Sequence, residues 1–425
     1  MDLTGKKLLI LGGSRLLNKL VLNSQARGAY VIVADWLTDS PAKMIADEAW
    51  LISTTEIEKL AQMCKEHHVD GVMAGYDDFN ITNAQLLSEA IGRPFYATGD
   101  QVLQTMDKAY FKELCKRSGV PCTPEFEMDA AMSREYLDKI KYPVIVKPVD
   151  RSGSIGISIC YNEEDLIVAY KKAMSLSRKG RIIIEKYFVG DEICVTYVMQ
   201  DGEVYCTAIH DRYMQEDGNQ NDVRISLAYV YPSKYTDVYM EKENQLVVNM
   251  FKELGLTQGV LFMQGCIEDG ICYFYETGYR LSGACQYQLM RDLSGFNPME
   301  MIVNYSLTGS TGVPCIADKV NPRFDKAVAT ISVLIRPGVI GKISGLDIIE
   351  KSGWIIENNL WSLEGDEIQQ KHVGTQHQIL MRCHVVGDNM EHLAENIRHF
   401  YDTLEVLDAD GNNMLMREFN TANLF

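Results

Sequence analysis

The sequence predicts a mixed α/β and α+β fold in three parts: a parallel-sheet domain over 1–104, an α+β domain over 105–320 and a β-rich domain over 321–425. Three observations predict it. Apolar runs alternate with helical stretches through the first region, paired strands take over near Thr105, and strands recur around Gly and Pro turns after about Asn321. A chain of 425 residues is too long for one ordinary domain, so two or three are expected.

In the first region Leu8–Leu11, Tyr30–Ala34 and Gly71–Ala74 read as strands, with helices at Asn18–Ala26 and Glu56–His67. Such β-α-β-α alternation calls for a parallel sheet with right-handed crossovers. Gly12-Gly13-Ser14 follows the first strand, where a phosphate can approach a helix N-terminus, and Asp35 ends the second. The run Gly12–Leu17 is not G-x-G-x-x-G, so it reads as a tight βα turn of a scaffold.

In the second region Met106–Ser118 reads as a helix stopped by Gly119-Val120-Pro121. Two β-rich stretches, Tyr142–Tyr161 and Arg181–Ala208, flank a helix at Glu163–Leu176. A helix at Glu241–Leu254 precedes strands at Gly259–Ile267 and Ile271–Glu276, joined through Asp269-Gly270, a strong hairpin signal. In the third region Val333–Pro337, Gly353–Asn358 and His377–Val386 read as strands, with a helix near Met390–Leu404.

Composition narrows the function. A net charge of −17 argues against a nucleic-acid partner, which needs concentrated Lys and Arg. No apolar run approaches the roughly 20 residues that span a bilayer, so no membrane partner is expected. Met1–Lys7 leads into a strand without a signal-peptide core, and the eleven cysteines contain no C-x-x-C pair. Reduced thiols in a cytoplasmic protein are therefore expected.

The chemistry concentrates in three segments. In the segment Tyr142–Gly156 a strand carries Lys147 and is followed by the small-residue loop Ser152, Gly153, Ser154, Ile155, Gly156. Small side chains let backbone N–H groups converge on a phosphate, and Lys147 adds a point charge. Ile182-Ile183-Ile184-Glu185 is an apolar strand ending in a carboxylate, followed by Phe188 and Glu192, which suits an adenine slot with a ribose acceptor. Glu276 closes the strand Tyr273–Glu276 with Arg280 just behind it, a pairing fit for Mg²⁺ and for charge on a transferring phosphoryl group.

Taken in order, Met106-Asp107-Lys108, Lys147, Ser152–Gly156, Glu185, Glu192, Glu276 and Arg280 resemble the ATP-grasp superfamily over essentially the whole chain. The likeness is to carbamoyl-phosphate synthase, biotin carboxylase, the purine-biosynthetic ligases and L-amino acid ligases. The resemblance implies ATP and Mg²⁺ (or Mn²⁺) as cofactors. It further implies that Lys108 and Lys147 hold phosphates, that Glu185 with the backbone near Phe188 holds adenine, and that Glu192 holds ribose. It implies a small pre-ATP-grasp domain, a two-lobed grasp domain with its lid lobe at about 120–185, and a C-terminal domain opening near Ile335–Gly345. Dimers are common in this architecture, which makes a homodimer an expectation.

The metal positions depart from the family pattern. Beside Glu276 the remaining ligand positions are Gln264, a neutral carbonyl, and Gly278, which has no side chain. The expected activity is an ATP-dependent ligase joining a small-molecule carboxylate to an amine through an acyl phosphate. The alternative is an ATP-binding sensor that has lost turnover. Arg212, His210 and Arg291 are the candidate contacts to substrate, and Tyr229–Tyr239 is a candidate pocket wall. The spacing of His372, His377 and His384 does not suit a metal.

Overall fold

The computed structural model describes residues 1–149, 156–215, 225–416 and 418–425. The N-terminal region is a four-stranded parallel sheet of β1 (Lys7–Leu11), β2 (Tyr30–Asp35), β3 (Glu48–Leu51) and β4 (Gly71–Ala74), in the order β3-β2-β1-β4. Leu8–Leu11 and Val31–Ala34 are wholly buried, as near-continuous apolar strands of a sheet covered on both faces must be. Strand β3 is absent from the sequence reading because it is short and lies at an edge, with Trp50 buried and its neighbours Ala49 and Leu51 exposed. Helix Asp78–Ile91 follows β4. Asp77 caps it by accepting from the Asn80 N–H at 2.7 Å, and Gly92 ends it at φ +65°.

The helix expected over Met106–Ser118 forms over Lys108–Ser118, and a further helix, Gly99–Met106, precedes it unread. Asp107 separates the two by turning extended and capping the second helix, accepting from the Ala109 N–H at 3.0 Å. The helix expected over Glu241–Leu254 divides at Glu243, into Thr236–Lys242 and Asn244–Glu253.

A small antiparallel sheet follows, of β5 (Val144–Pro148), β6 (Ser158–Cys160) and β7 (Ile182–Lys186) in the order β6-β5-β7. Helix Glu163–Leu176 covers it and buries Leu166, Ala169 and Ala173 against Val144, Val146 and Ile184. This core is separate from the two larger ones.

The rest of the chain builds on one eight-stranded antiparallel sheet. Its first half comprises β8 (Glu192–Gln200), β9 (Glu203–Met214), β10 (Ser226–Tyr231), β11 (Gly259–Glu268) and β12 (Ile271–Gly278). The β11–β12 hairpin turns through Asp269 (φ +52°) and Gly270 (φ +70°), the left-handed pair that a two-residue loop demands. Beyond 320 come β13 (Ala327–Leu334), β14 (Gly338–Ser344), β15 (Ile355–Leu360), β16 (Glu367–Ile368), β17 (Ile379–Gly387) and β18 (Glu405–Asp408). Strands β14, β16 and β18 form a small sheet, while β13, β17 and β15 extend the large one: β12-β11-β8-β9-β10-β13-β17-β15. Ala228 pairs with Ile331 and Tyr229 with Thr330, so the sheet runs unbroken across the 320/321 boundary. No helix among the described residues is long and apolar enough to cross a membrane.

Candidate active site

Residues 121–126 tie the large sheet to the small one. The Thr123 N–H donates to the Phe274 carbonyl at 2.9 Å, and the Phe126 N–H to the Ile184 carbonyl at 2.8 Å. Between the sheets lies a cleft of about 570 Å³, within the range of small-molecule sites. One end is apolar, walled by Ile145, Ile157, Ile159 and Phe188, with Glu185 paired beside Ile145; the other carries Glu192, Arg212, Gln264, Tyr275 and Glu276.

At the apolar end Phe188 is 6% exposed and stacks on Tyr273 at 5.1 Å between centroids, with the Lys186 ammonium over its other side. Glu185, on β7, is 1% exposed and is gripped by two lysines: Lys147 at 2.6 Å and Lys112. Lys112, itself wholly buried, also donates to the Thr123 carbonyl at 3.1 Å. Burial, and then Lys147, push its pKa below the usual lysine value, against the pull of Glu185 and Glu125. Sequence reading missed Lys112. It stands one turn after Lys108 on the same helix, and that spacing was the available signal.

At the polar end Glu276, two residues before the end of β12, lies directly opposite Gln264 of β11. Burial favours its neutral form, but Lys108, Lys147, Arg280 and Arg212 outweigh burial and hold its pKa below the glutamate range. Lys108 lies 3.5 Å from Glu276. Its burial is in turn outweighed by Glu276, Asp78 and Glu185, which raise its pKa. Glu192 accepts from Arg212 at 2.5 Å and from the Tyr275 hydroxyl at 2.9 Å. Arg212 Nε is buried without a partner among the described residues. Arg280 donates to Asp78 and to the Leu281 carbonyl, and its guanidinium lies over the Phe262 ring at 5.0 Å. Asp78 was also missed; it heads the helix after β4, at the carboxyl end of a parallel sheet where sites collect.

The Phe262 ring also accounts for Gly278. A Cβ there would stand 2.6 Å from two Phe262 ring atoms, so the ring that supports Arg280 occupies the space of a side chain at 278. Gln264 Oε1 accepts from the Tyr275 hydroxyl at 3.3 Å.

Gly156 has φ +80°, and a Cβ would stand 2.8 Å from Pro148 Cγ, so both conformation and space call for glycine. Ser152, Gly153 and Ser154 lie outside the described residues. His210 is 2% exposed between the rings of Tyr229 and Tyr231, and burial, then Arg212 and Arg382, keep its pKa far below the ordinary histidine value. Arg291 stands apart from the cleft, paired with Asp292 at 2.6 Å and Glu357 at 3.1 Å, and Glu357 also meets Lys19. Gly13 packs on Ser40, since a Cβ would stand 2.0 Å from its hydroxyl, and this closes the first βα turn.

A further wall was invisible in the sequence. Glu418, Phe419, Asn420 and Asn423 line the cleft, where Phe419 packs edge-on against Tyr213 and the Tyr213 hydroxyl donates to the Asn423 carbonyl at 2.9 Å.

A small three-stranded sheet thus faces a large antiparallel one across the cleft, and lysines meet strand-borne carboxylates beside it. Residues 120–260 match the family of the D-ala D-ala ligase C-terminus. A formate-dependent phosphoribosylglycinamide formyltransferase of Psychromonas ingrahamii is 30% identical over 282 residues, covering 64% of this chain and 68% of that protein. Across the first curated relatives the chain spans 55% to 68% of their length. Among solved structures, the L-amino acid ligase of Bacillus licheniformis superposes with a TM-score of 0.75 at 18% identity, covering 95% of this chain and 99% of that one. The biotin carboxylase domain of Hydrogenobacter thermophilus 2-oxoglutarate carboxylase gives 0.76 at 20% identity, covering 96% and 91%. The chain belongs to the ATP-grasp superfamily.

Proposed function

We propose that this protein is a cytoplasmic ATP-dependent ligase that activates a small carboxylic acid as its acyl phosphate and passes the acyl group to an amine. One observation carries the reading: Glu276, at the polar end of an apolar cleft, is ringed by Lys108, Lys147, Arg212 and Arg280. A polyphosphate whose base lies in the apolar end would meet those cations in line.

The residues fit the nucleotide. Ile145, Ile159 and Phe188 offer the apolar slot, Glu192 an acceptor for ribose hydroxyls, and the unpartnered Arg212 Nε a donor. They also fit Mg²⁺ as it is usually held, by one or two carboxylates with phosphate oxygens and water completing the shell. Glu276 would be that carboxylate and the Gln264 carbonyl a weaker ligand; no cluster of three acidic, His or Cys side chains suited to a metal occurs among the described residues. Bound there, the ion supplies charge neutralisation at the transferring phosphoryl group.

In this reading Lys108 and Lys147 fix the phosphate oxygens while Arg280, held by Asp78, faces the charge that develops in transfer. A substrate carboxylate oxygen bonds to the terminal phosphorus and displaces ADP. The amine nitrogen then bonds to the acyl carbon, displaces phosphate and gives up a proton, leaving an amide. Eleven unbridged cysteines suit a reducing compartment.

The test is ADP release from Mg²⁺-ATP across a panel of carboxylic acids, each with and without amines. Release that requires acid and grows with amine supports the ligase. Gln264 and Gly278 favour a second reading, an ATP sensor without turnover. ATP that raises the melting temperature equally with and without Mg²⁺, with no ADP formed on any acid, would establish it instead.

A further inference from the structure

Arg382, on β17, is the one arginine among the described residues that is buried, at 3% exposure. The cations of the cleft each have a carboxylate: Arg212 has Glu192, Arg280 has Asp78, Lys108 has Glu276, and Lys147 and Lys112 share Glu185. Arg382 has none within ion-pair reach among the described residues. Its guanidinium is instead held by neutral groups. Nε donates to the Ser332 hydroxyl at 3.2 Å and Nη1 to the Gly283 carbonyl at 2.6 Å, and the rings of Trp361 and Tyr229 stand 4.7 and 5.3 Å away. Such contacts orient a guanidinium without neutralising it, and a buried charge without a counter-ion is expensive.

The surroundings are also short of partners. Trp361 Nε1 and His210 Nδ1 are buried without a hydrogen-bond partner among the described residues. His210 lies beside Tyr229 and Tyr231, so these donors and acceptors belong to one neighbourhood of the sheet face that carries Arg382. The neighbourhood abuts the reaction centre, because Gly283 is three residues past Arg280. Ser282, Gly283 and Trp361 beside it are partly exposed. A Cβ on Gly283 would stand 3.4 Å from Arg382 Nη1, so glycine keeps the space beside the guanidinium free.

We propose that Arg382 is a specificity-determining residue that anchors a carboxylate group of the small-molecule substrate, completing its own missing ion pair. This rests on the ligase reading for what happens next, but the binding stands apart from it. A planar carboxylate matches the guanidinium fork. Arg382 is thus a substrate contact supplied by a strand beyond 320, which neither His210 nor Arg212 can replace.

The test uses the full chain and a panel of amino acids, 2-hydroxy acids and dicarboxylates, each paired with its amide. Thermal shift reads binding and ADP release reads turnover. Acids that raise the melting temperature of wild type while their amides do not are expected, with the shift abolished in Arg382→Met and the ATP shift kept. Affinity for the acid should fall at least about 30-fold, the usual scale for removing one member of a buried charge pair. Arg382→Lys, which keeps the charge and loses the fork, should fall in between, and it decides the matter if the Met variant does not fold. Acid binding that survives in both variants, or binding by phosphate esters with no carboxylate bound, overturns the proposal. Carboxylates that bind through Arg382 without ADP release uphold it and remove the ligase reading; ADP release with an unchanged KM for acid in both variants does the reverse.

Discussion

The two ends of the large sheet treat charge in opposite ways. Around β11 and β12, beside the lid, cations and carboxylates alternate in close pairs: Lys108 with Glu276, Arg212 with Glu192, Lys147 with Glu185. Around β13 and β17 the buried groups are a lone guanidinium and neutral histidines, His384 accepting from or donating to Thr330 at 2.8 Å. The first end resembles a socket already balanced, into which a polyanion can enter only by exchanging partners with the carboxylates. The second is unbalanced, waiting for a single negative group. The difference teaches that pairing, and not the number of cations, separates a site built for exchange from a site built for capture.

The comparison can be broken in four ways, the largest effect first. Arg280→Ala should lower ADP-forming turnover about a thousandfold, the usual scale for an arginine facing a transferring phosphoryl group. Initial rates with saturating ATP check it; a change of less than tenfold would remove Arg280 from the reaction centre. Glu185→Gln should cost about 3–5 kcal/mol of stability, because it strips Lys147, 5% exposed, of its carboxylate and leaves buried Lys112 only Glu125 at 3.5 Å. A denaturant midpoint measures this, and Arg382→Met, which breaks no ion pair, should leave the midpoint nearly still.

Acid should act through the distal end. Burial pushes His384 down to about 3, with Arg291 and Arg382 adding to the shift and the Cys285 backbone opposing it, and His210 is pushed well down too. Histidines whose folded pKa is lowered give their full stability above the unfolded value near 6.5 and lose it as pH falls toward the folded value. Between pH 7 and 5 each should cost about 2 kcal/mol. Chemical denaturation across that window reads the slope, and His384→Gln should remove one share of it. The smallest effect belongs to Lys186→Ala. Its pair with Glu268 is 35% and 41% exposed, so the loss should stay below about 1 kcal/mol.

Local features of the fold were legible. The helix Glu163–Leu176 and the Asp269-Gly270 hairpin follow from periodicity and turn chemistry, and both occur as read. The helix Gly99–Met106 and the break at Glu243 were not read; at Glu243 apolar spacing continues while the backbone does not. The continuity of the large sheet was illegible for another reason: β10 and β13 pair across nearly a hundred intervening residues, and nothing within either strand names its partner. In the candidate site, Lys108, Lys147 and Glu276 were singled out through their order along the chain; Lys108 lies 3.5 Å from Glu276, and Lys147 pairs with Glu185. Arg291 shares the same sequence character as Arg212, yet it faces Glu357 and not the cleft. Lys112, Asp78 and Arg382 carried weak local signals or none, since their meaning lies in which distant groups they meet.

Tyr213 and Asn423 touch across 210 residues of chain, and that separation has a consequence during synthesis. At a ribosomal rate of about 5–20 residues per second, roughly 10 to 40 seconds pass between the making of one and the other. For about the first half of that interval, until β13 is made, β10, buried along its whole length in the finished protein, has only β9 beside it and bares an unzipped edge. The nascent chain thus waits roughly 5 to 20 seconds for β13, a delay in which a chaperone can bind that edge first, and longer still for the last wall of its binding chamber.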